Sequence, residues 1–304
     1  MARLLITGAT GFVGRALIEH LRRARPGQRL WGCGLEPCPA DLSVDDYTQA
    51  DLADPAAAAD LVAAANPQAV IHLAALIASD NLGDCLGANV TATENLYRAL
   101  SARPKAQQIR IVQMGTAAIY GVPQSLPISE DAPLRPVSYY ALSKAAQDQL
   151  AAAMGLSHGL QIVRARVFNI LGPGQGAGLV PMTFVKQLRQ ARAAKADKLL
   201  VGDVTPRRDF LDVRDVAAAL DALLEQGRSG RAYNLGSGSD VSIREMIEEL
   251  MRVAGLSLPL EVDPLRLRPC DVPVVRADIS RVTTETSWRP LIAWRQSLAD
   301  MWNL

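Results

Sequence analysis

Leu4-Leu5-Ile6-Thr7-Gly8-Ala9-Thr10-Gly11-Phe12-Val13-Gly14-Arg15 is the stretch that decides the fold. A short apolar run ends at a glycine, and the glycines then recur at Gly8, Gly11 and Gly14 before a helical pattern begins. In a strand–loop–helix unit the first glycine permits a tight turn, and the second lets backbone approach a pyrophosphate. The third lets the helix pack close to the strand. The helix N-terminus then presents free N–H groups and a positive dipole end to phosphate. Thr10, Phe12 and Val13 fall inside the same loop and join the candidate cofactor contacts. A glycine triplet alone is weak; the strand before it and the helix after it give it weight.

Outward from this stretch, strands and helices alternate. Helical patterns cover Arg15–Arg23, Ala56–Ala65, Ala88–Leu100 and Tyr140–Met154. Between them lie strand-like runs at Leu30–Cys33, Ala69–Leu73, Ile109–Met114 and Gln161–Val167. This order predicts a doubly wound α/β domain of the Rossmann type, with a parallel sheet covered on both faces. Unbroken apolar strands such as Val70-Ile71-His72-Leu73 suit such burial. After Arg166 the rhythm changes, and a turn-rich segment runs from Gly172 to Gly178. Beyond it come helices at Pro181–Ala194, Val213–Glu225 and Ile243–Ala254, with strands at Leu199–Val201 and Ala232–Leu235. The expected organisation is a dinucleotide-binding domain over 1–166 and a smaller α/β substrate lobe over 167–304. Segments near 207–236 are expected to return to the first domain.

The 304 residues carry 32 basic and 31 acidic side chains, so the net charge is +1. That balance gives no support for a nucleic-acid partner. No stretch reaches the roughly 18 apolar residues of a membrane span, and the N-terminus lacks the apolar core of a signal peptide. The chain reads as soluble and cytoplasmic. Cys33, Cys38, Cys85 and Cys270 match no zinc or redox spacing and read as reduced thiols. His20, His72 and His158 fall near no second candidate ligand, so no metal site is expected.

Asp51-Leu52 follows a third strand, a position beside the adenine in a doubly wound sheet; the alternative is a helix-capping aspartate before Pro55. NAD enzymes usually place an acid at the end of the second strand. Here that place is Gly34, with Glu36 two residues on and Arg15 just inside the first helix, which favours NADP(H) over NAD(H).

Tyr140 and Lys144 stand four apart on one helix and share a face. An ammonium beside a phenol favours the phenolate, so this pair can move a proton near neutral pH. Thr116 directly follows the strand Ile109–Met114, where ligands bind in such sheets. It can hydrogen-bond the oxygen that Tyr140 protonates.

The glycine loop, Asp51-Leu52, His72-Leu73-Ala74-Ala75, Thr116 with Tyr120-Gly121, and Tyr140 with Lys144 together resemble the extended short-chain dehydrogenase/reductases, over nearly the whole chain. The resemblance implies an NAD(P)-dependent oxidoreductase with the catalytic triad Thr116, Tyr140 and Lys144. Leu73, Ala74 and Ala75 would contact the cofactor, and Asn89 would support the lysine through water. It also implies a homodimer formed through the helices Ala88–Leu100 and Tyr140–Met154. The substrate implied is a nucleotide-diphosphate sugar. Asn169 and Val180 would contact it, and Arg208 and Arg268 would grip its diphosphate, for which a forked guanidinium is suited.

Within the group, the stretches Phe168-Asn169 to Gln175 and Val201-Gly202-Asp203 to Val213 are most similar to reductases of GDP-4-keto-6-deoxy-mannose, which make GDP-D-rhamnose. Val167 and Ile170 depart from the proline and histidine usual there, and Gly115 from a serine. A dehydratase needs an acid and a base directly after the threonine; Ala117 and Ala118 cannot move protons. The alternatives are an NAD-dependent nucleotide-sugar 4-epimerase and, from another class, a non-catalytic dinucleotide-sensing protein. Such sensors typically lose the tyrosine or lysine, and both are present.

Overall fold

The first strand, β1 (Arg3–Thr7), buries both of its faces. Leu4 and Ile6 enter one apolar core and Leu5 enters another on the opposite side. Each such side chain contributes about 1.5–3 kcal/mol on burial, so the strand is fixed in the middle of a layered sheet. The computed structural model describes residues 3–77, 79–176, 178–267 and 272–304.

From β1 the chain passes through α1 (Phe12–Ala24), β2 (Arg29–Gly34), β3 (Asp46–Gln49), α2 (Pro55–Ala65) and β4 (Ala69–His72). A longer helical stretch follows: α3 (Leu82–Leu86), a π-helical turn (Gly87–Thr91) and α4 (Ala92–Ser101). Then come β5 (Arg110–Thr116), a 3₁₀ turn (Ala117–Tyr120), α5 (Tyr139–His158) and β6 (Gln161–Val167). The remainder is β7 (Asn169–Leu171), α6 (Val180–Ala194), β8 (Leu199–Val201), β9 (Arg207–Arg208), β10 (Phe210–Asp212), α7 (Val213–Gln226) and β11 (Ala232–Leu235). It closes with β12 (Val241–Ser242), α8 (Ile243–Ala254), β13 (Leu260–Val262), β14 (Val274–Val275), α9 (Ser280–Glu285) and α10 (Trp294–Asn303).

Seven parallel strands form the main sheet in the order β11-β6-β5-β4-β1-β2-β3. The expected doubly wound parallel sheet is therefore present. The order reverses between β1 and β4, and a crevice outside the strand ends at such a switch point is where ligands bind. α1 and α7 pack together on one face, and α2, α4 and α5 cover the other.

The chain leaves this sheet after β6. α6, α8 and α10 pack around Phe184, Leu188, Met246, Leu250 and Leu298. β8 pairs with β13, β7 with β10, and β9 lies between β12 and β14. α7 and β11 carry the chain back, β11 pairing with β6. α8 begins with a capping box, Ser242 and Glu245 satisfying each other's backbone N–H.

Three helix boundaries differ most from the sequence reading, and one of them is that of α5, which runs on to His158 rather than ending at Met154. The first helix starts at Phe12 rather than Arg15, because Gly14 interrupts the apolar stripe but not the backbone. The helix expected from Ala88 begins at Leu82, capped by Asn81, and passes through the π turn.

Candidate functional site

The strand ends β1, β4, β5 and β6 build the site from the bottom. Gly8 follows β1 at φ +68°, and a Cβ there would meet the Ala74 nitrogen at 2.8 Å. A Cβ on Gly14 would meet the Gly8 oxygen at 2.3 Å. Only glycine lets α1, the loop and the exit of β4 approach this closely. The N-cap of α1 is Gly11, which has no side chain to satisfy the first-turn N–H groups, and that turn carries no acid. Uncapped donors at an unneutralised dipole end fit a phosphate. Thr10, Phe12 and Val13 lie in this loop and first turn.

Thr7 and His72 brace the crevice from below. The Thr7 hydroxyl oxygen accepts from the backbone N–H groups of Leu73 and Ala74 at 3.2 and 3.3 Å, and lies 2.7 Å from His72 Nδ1. On the other side His72 Nε2 is 2.9 Å from Thr93 Oγ1. Thr93 gives its own proton to the Asn89 carbonyl, so it accepts from Nε2–H, and Nδ1 accepts from Thr7. One neutral tautomer satisfies both contacts. Burial pushes His72 down to about 3, with Lys144 adding to the shift. His72 is thus an uncharged crossbar.

After β3, Asp51 is exposed and accepts from Ala53 N–H, while the Leu52 side chain is buried. The cap of α2 is Asp54, not Asp51. A Cβ at Gly34 would lie 2.7 Å from the Tyr47 hydroxyl, so that hydroxyl stands where an acidic side chain would begin. Glu36 is exposed, and its carbonyl accepts from Tyr47. Arg15 pairs with Asp41 at 2.8 Å on the surface. Ala75 is exposed at the end of the His72–Ala75 run.

The chemistry-bearing side chains meet at the ends of β5 and β6. Ser138 caps α5, its hydroxyl accepting from Ala141 N–H. Thr116 caps the following 3₁₀ turn, accepting from Ala118 N–H at 3.2 Å. Burial pushes the Tyr140 phenol up, and a hydrogen bond with Thr116 opposes this. Lys144 is 2% exposed and donates to the Met114 carbonyl at 2.8 Å. Burial pushes it down to about 7, against the attraction of Asp148. Here Thr116 is the neighbour that favours the phenolate, while Lys144 turns its ammonium to the Met114 carbonyl.

Thr116, Asn169 and Arg208 line one cavity of about 200 Å³, with Ala117, Ala118 and Phe168. Ser138, Val272 and Val275 also line it and were missed. Ser138 was findable as a cap before Tyr139-Tyr140; the two valines come from distant chain. Val180 does not line the cavity: it opens α6 and packs half-buried against the core that α6, α8 and α10 enclose. Arg268 lies outside the described residues. Asn89 sits in the π turn, hydrogen-bonding both backbone groups of Leu76 and donating to Ser143 Oγ at 2.9 Å. His20, read as lacking a nearby ligand, meets Asp221 at 3.2 Å. Among the described residues no group of three or more His, Cys, Asp or Glu side chains is placed to hold a metal ion.

Comparison with known proteins adds the family. Residues 4–236 match the NAD dependent epimerase/dehydratase family. The chain is 36% identical over 303 residues to the GDP-6-deoxy-D-mannose reductase of Pseudomonas aeruginosa, covering 97% of this chain and 94% of that protein. Among solved structures it resembles RMD from Pseudomonas aeruginosa complexed with NADPH, with TM-score 0.87 and 33% identity, covering 100% and 98% of the two chains. It also resembles the Thermus thermophilus UDP-glucose 4-epimerase complexed with NAD, with TM-score 0.85 and 25% identity over 99% and 98%.

Proposed function

Because the chain belongs to the NAD dependent epimerase/dehydratase family, and is an NAD(P)-dependent oxidoreductase of the extended short-chain type, we propose that it reduces the 4-keto group of a nucleotide-linked 6-deoxy-hexulose. GDP-4-keto-6-deoxy-mannose is the substrate we favour, giving GDP-D-rhamnose. One observation carries this reading. Thr116, the neighbour that acts on the Tyr140 phenol, lines a cavity that Asn169 and Arg208 also line, while Ala117 and Ala118 supply no acid or base for dehydration.

When bound, the nicotinamide supplies the hydride. The chain supplies the rest. The loop Gly8–Gly14 holds the pyrophosphate, while Asp51, Leu52, Leu73, Ala74 and Ala75 flank the adenosine and ribose. Arg208 and Arg268 hold the substrate diphosphate; Asn169 contacts the nucleotide sugar, and Val180 supports that contact region. Tyr140 gives its phenolic proton to the C4 oxygen as negative charge develops there, and Thr116 hydrogen-bonds the same oxygen. Lys144 holds the nicotinamide ribose and supports the tyrosine.

NADP(H) is the proposed cofactor, since Tyr47 displaces any acid from Gly34 and the similar structure of RMD from Pseudomonas aeruginosa is complexed with NADPH. We take the working form to be a cytoplasmic homodimer paired through α4 and α5, where Tyr139 and Leu142 are half-exposed apolar side chains. No described helix is long and apolar enough to cross a membrane. The working units are 1–166 with the returning segments near 207–236, and the remainder of 167–304.

The test is oxidation of NADPH against NADH with GDP-4-keto-6-deoxy-mannose. Stoichiometric oxidation of NADPH is expected. The likeness to a UDP-glucose 4-epimerase favours a second reading: no oxidation, with interconversion of UDP-glucose and UDP-galactose, would replace the reductase by a 4-epimerase.

A further inference from the structure

Asp148 lies one helical turn beyond Lys144 on α5, a spacing at which a carboxylate and an ammonium ordinarily meet. They do not pair. Both Asp148 oxygens are taken by arginines from β6. Arg166 is bidentate, with Nε donating to Oδ1 at 3.0 Å and Nη2 to Oδ2 at 2.8 Å. Arg164 Nη1 donates to Oδ2 at 2.8 Å. Arg166 is locked in turn, its Nη1 donating to the Tyr120 hydroxyl at 3.0 Å and the Glu130 carbonyl at 2.8 Å. Tyr120 donates to Asn234 at 2.7 Å.

The charges facing Lys144 follow. From β6 come two guanidiniums, and from its own helix one carboxylate already matched by them, together with Tyr140. From β4 comes His72, held neutral. β5 offers the Met114 carbonyl, and α4 and the π turn offer only the uncharged Thr93 and Asn89. Among the described residues Lys144 makes no ion pair, and it is 2% exposed.

We propose that Arg166 is a positioning residue: by engaging both oxygens of Asp148 it withdraws the one carboxylate that α5 offers Lys144, and so sets the protonation state of that lysine. Arg164 assists from the same strand. A purely structural role, fastening α5 to β6, would leave the lysine unmoved. Burial pushes Lys144 down to about 7, and Asp148 only partly opposes this, as expected of a carboxylate already held by two arginines. The catalytic consequence rests on the reductase reading, in which Lys144 supports Tyr140; the charge coupling itself does not.

The chain has five lysines, Lys105, Lys144, Lys186, Lys195 and Lys198, so a ¹³Cε-lysine NMR titration of the cofactor-free protein is simple to resolve. Lys144→Met assigns the signal. Arg166→Met frees one oxygen of Asp148, and the Lys144 midpoint should rise by about one pH unit. Asp148→Asn should move it the other way. Arg166→Lys, which keeps charge but not the fork, should fall between wild type and Arg166→Met. If Arg166→Met does not fold, Arg164→Gln, at a more exposed position, gives a smaller rise in the same measurement. Midpoints unchanged in every folded variant, or moving the same way in Arg166→Met and Asp148→Asn, overturn the proposal. The high-pH limit of keto-sugar reduction should follow the NMR midpoint across the series. Because the titration uses no substrate, a wrong sugar would leave it intact, whereas a failed coupling would leave the reductase assay intact.

Discussion

Gly14→Ala tests the dinucleotide site through a single methyl group. Gly14 lies in the first turn of α1, where alanine is favoured over glycine by about 1 kcal/mol on helix propensity alone. Against that gain, the added Cβ would meet the Gly8 oxygen at 2.3 Å and the Ala9 oxygen and carbon at 2.7 and 2.8 Å. All three are backbone atoms of the loop itself, so no side chain can swing away. Reaching even 3.0 Å requires a retreat of about 0.7 Å, and such overpacking costs about 1–3 kcal/mol. The net expectation is a melting temperature lower by a few degrees, at about 2–4 °C per kcal/mol for a chain approaching this size. Function should suffer more. A shift of about 0.7 Å stretches a phosphate hydrogen bond of ~2.9 Å beyond the useful range. Losing one such charge-assisted bond, worth about 1.5–3 kcal/mol, weakens NADPH binding about 10- to 100-fold. The assay is fluorescence titration of NADPH beside a thermal melt. Gly87→Ala is the control: its backbone is helical at φ −56° and its added Cβ meets nothing within 4 Å. It should be neutral or stabilising by about 0.5–1 kcal/mol. Wild-type affinity in Gly14→Ala would refute the close-approach reasoning.

Tyr140→Phe should abolish turnover while NADPH still binds; near-normal activity, measured as NADPH oxidation, would remove the tyrosine from the proton transfer. Arg208→Ala should raise KM for the nucleotide sugar about 10- to 100-fold with a smaller change in kcat, as expected when a charge-assisted diphosphate contact is lost; an unchanged KM would place the diphosphate elsewhere. Lys144 also predicts a pH dependence. Its folded value, about 7, lies below the ordinary 10.5, so between the two the unfolded chain binds a proton that the folded chain does not. The stability of the cofactor-free protein should therefore rise with pH in that window, by up to about 1.4 kcal/mol per pH unit from this group. Lys144→Met should flatten the denaturant-measured slope; an identical slope in the variant would mean that the lysine is charged when folded.

The layered sheet was legible because its strands announce themselves twice. Leu4, Leu5 and Ile6 are apolar without alternation, as burial on both faces demands, and each such strand is followed by a glycine or a helical pattern. Legibility failed where the signal is non-local or where one residue type masks another. Gly83 and Gly87 lower helix propensity and hid the start of the helix at Leu82, although Asn81 was a readable cap. Val272 and Val275 reach the cavity only through the pairing of β14 with β9, which no local pattern encodes. The i,i+4 spacing of Lys144 and Asp148 suggests an ion pair, and only the register of β5 against β6 and the packing of α5 above them show that Arg164 and Arg166 claim the carboxylate first. The motif spacing did name Thr116, Tyr140 and Lys144, and the fold places Thr116 where it opposes the upward push of burial on the Tyr140 phenol. The spacing pointed to Lys144 as the group that favours the phenolate, whereas in the fold Thr116 is the neighbour that does so.

Thr116 explains how a sheet shared by reductases and epimerases can be tuned at its edge. Its hydroxyl oxygen accepts the Ala118 N–H at 3.2 Å, which fixes the side chain as the cap of the turn Ala117–Tyr120. A hydroxyl that accepts there still has its own proton to give. That proton can point to the Tyr140 oxygen, and donation to a phenol oxygen favours its ionised form, the direction in which Thr116 acts on Tyr140. The same turn decides what the site cannot do. Ala118 faces the cavity and Ala117 is buried beside it, so the two positions that follow the threonine carry methyl groups. On the proposed mechanism the proton then comes to the substrate from Tyr140 and not from that turn. Chemistry confined to one oxygen is what a 4-keto reduction requires, and elimination of water from a neighbouring carbon needs the acid and base that these alanines replace.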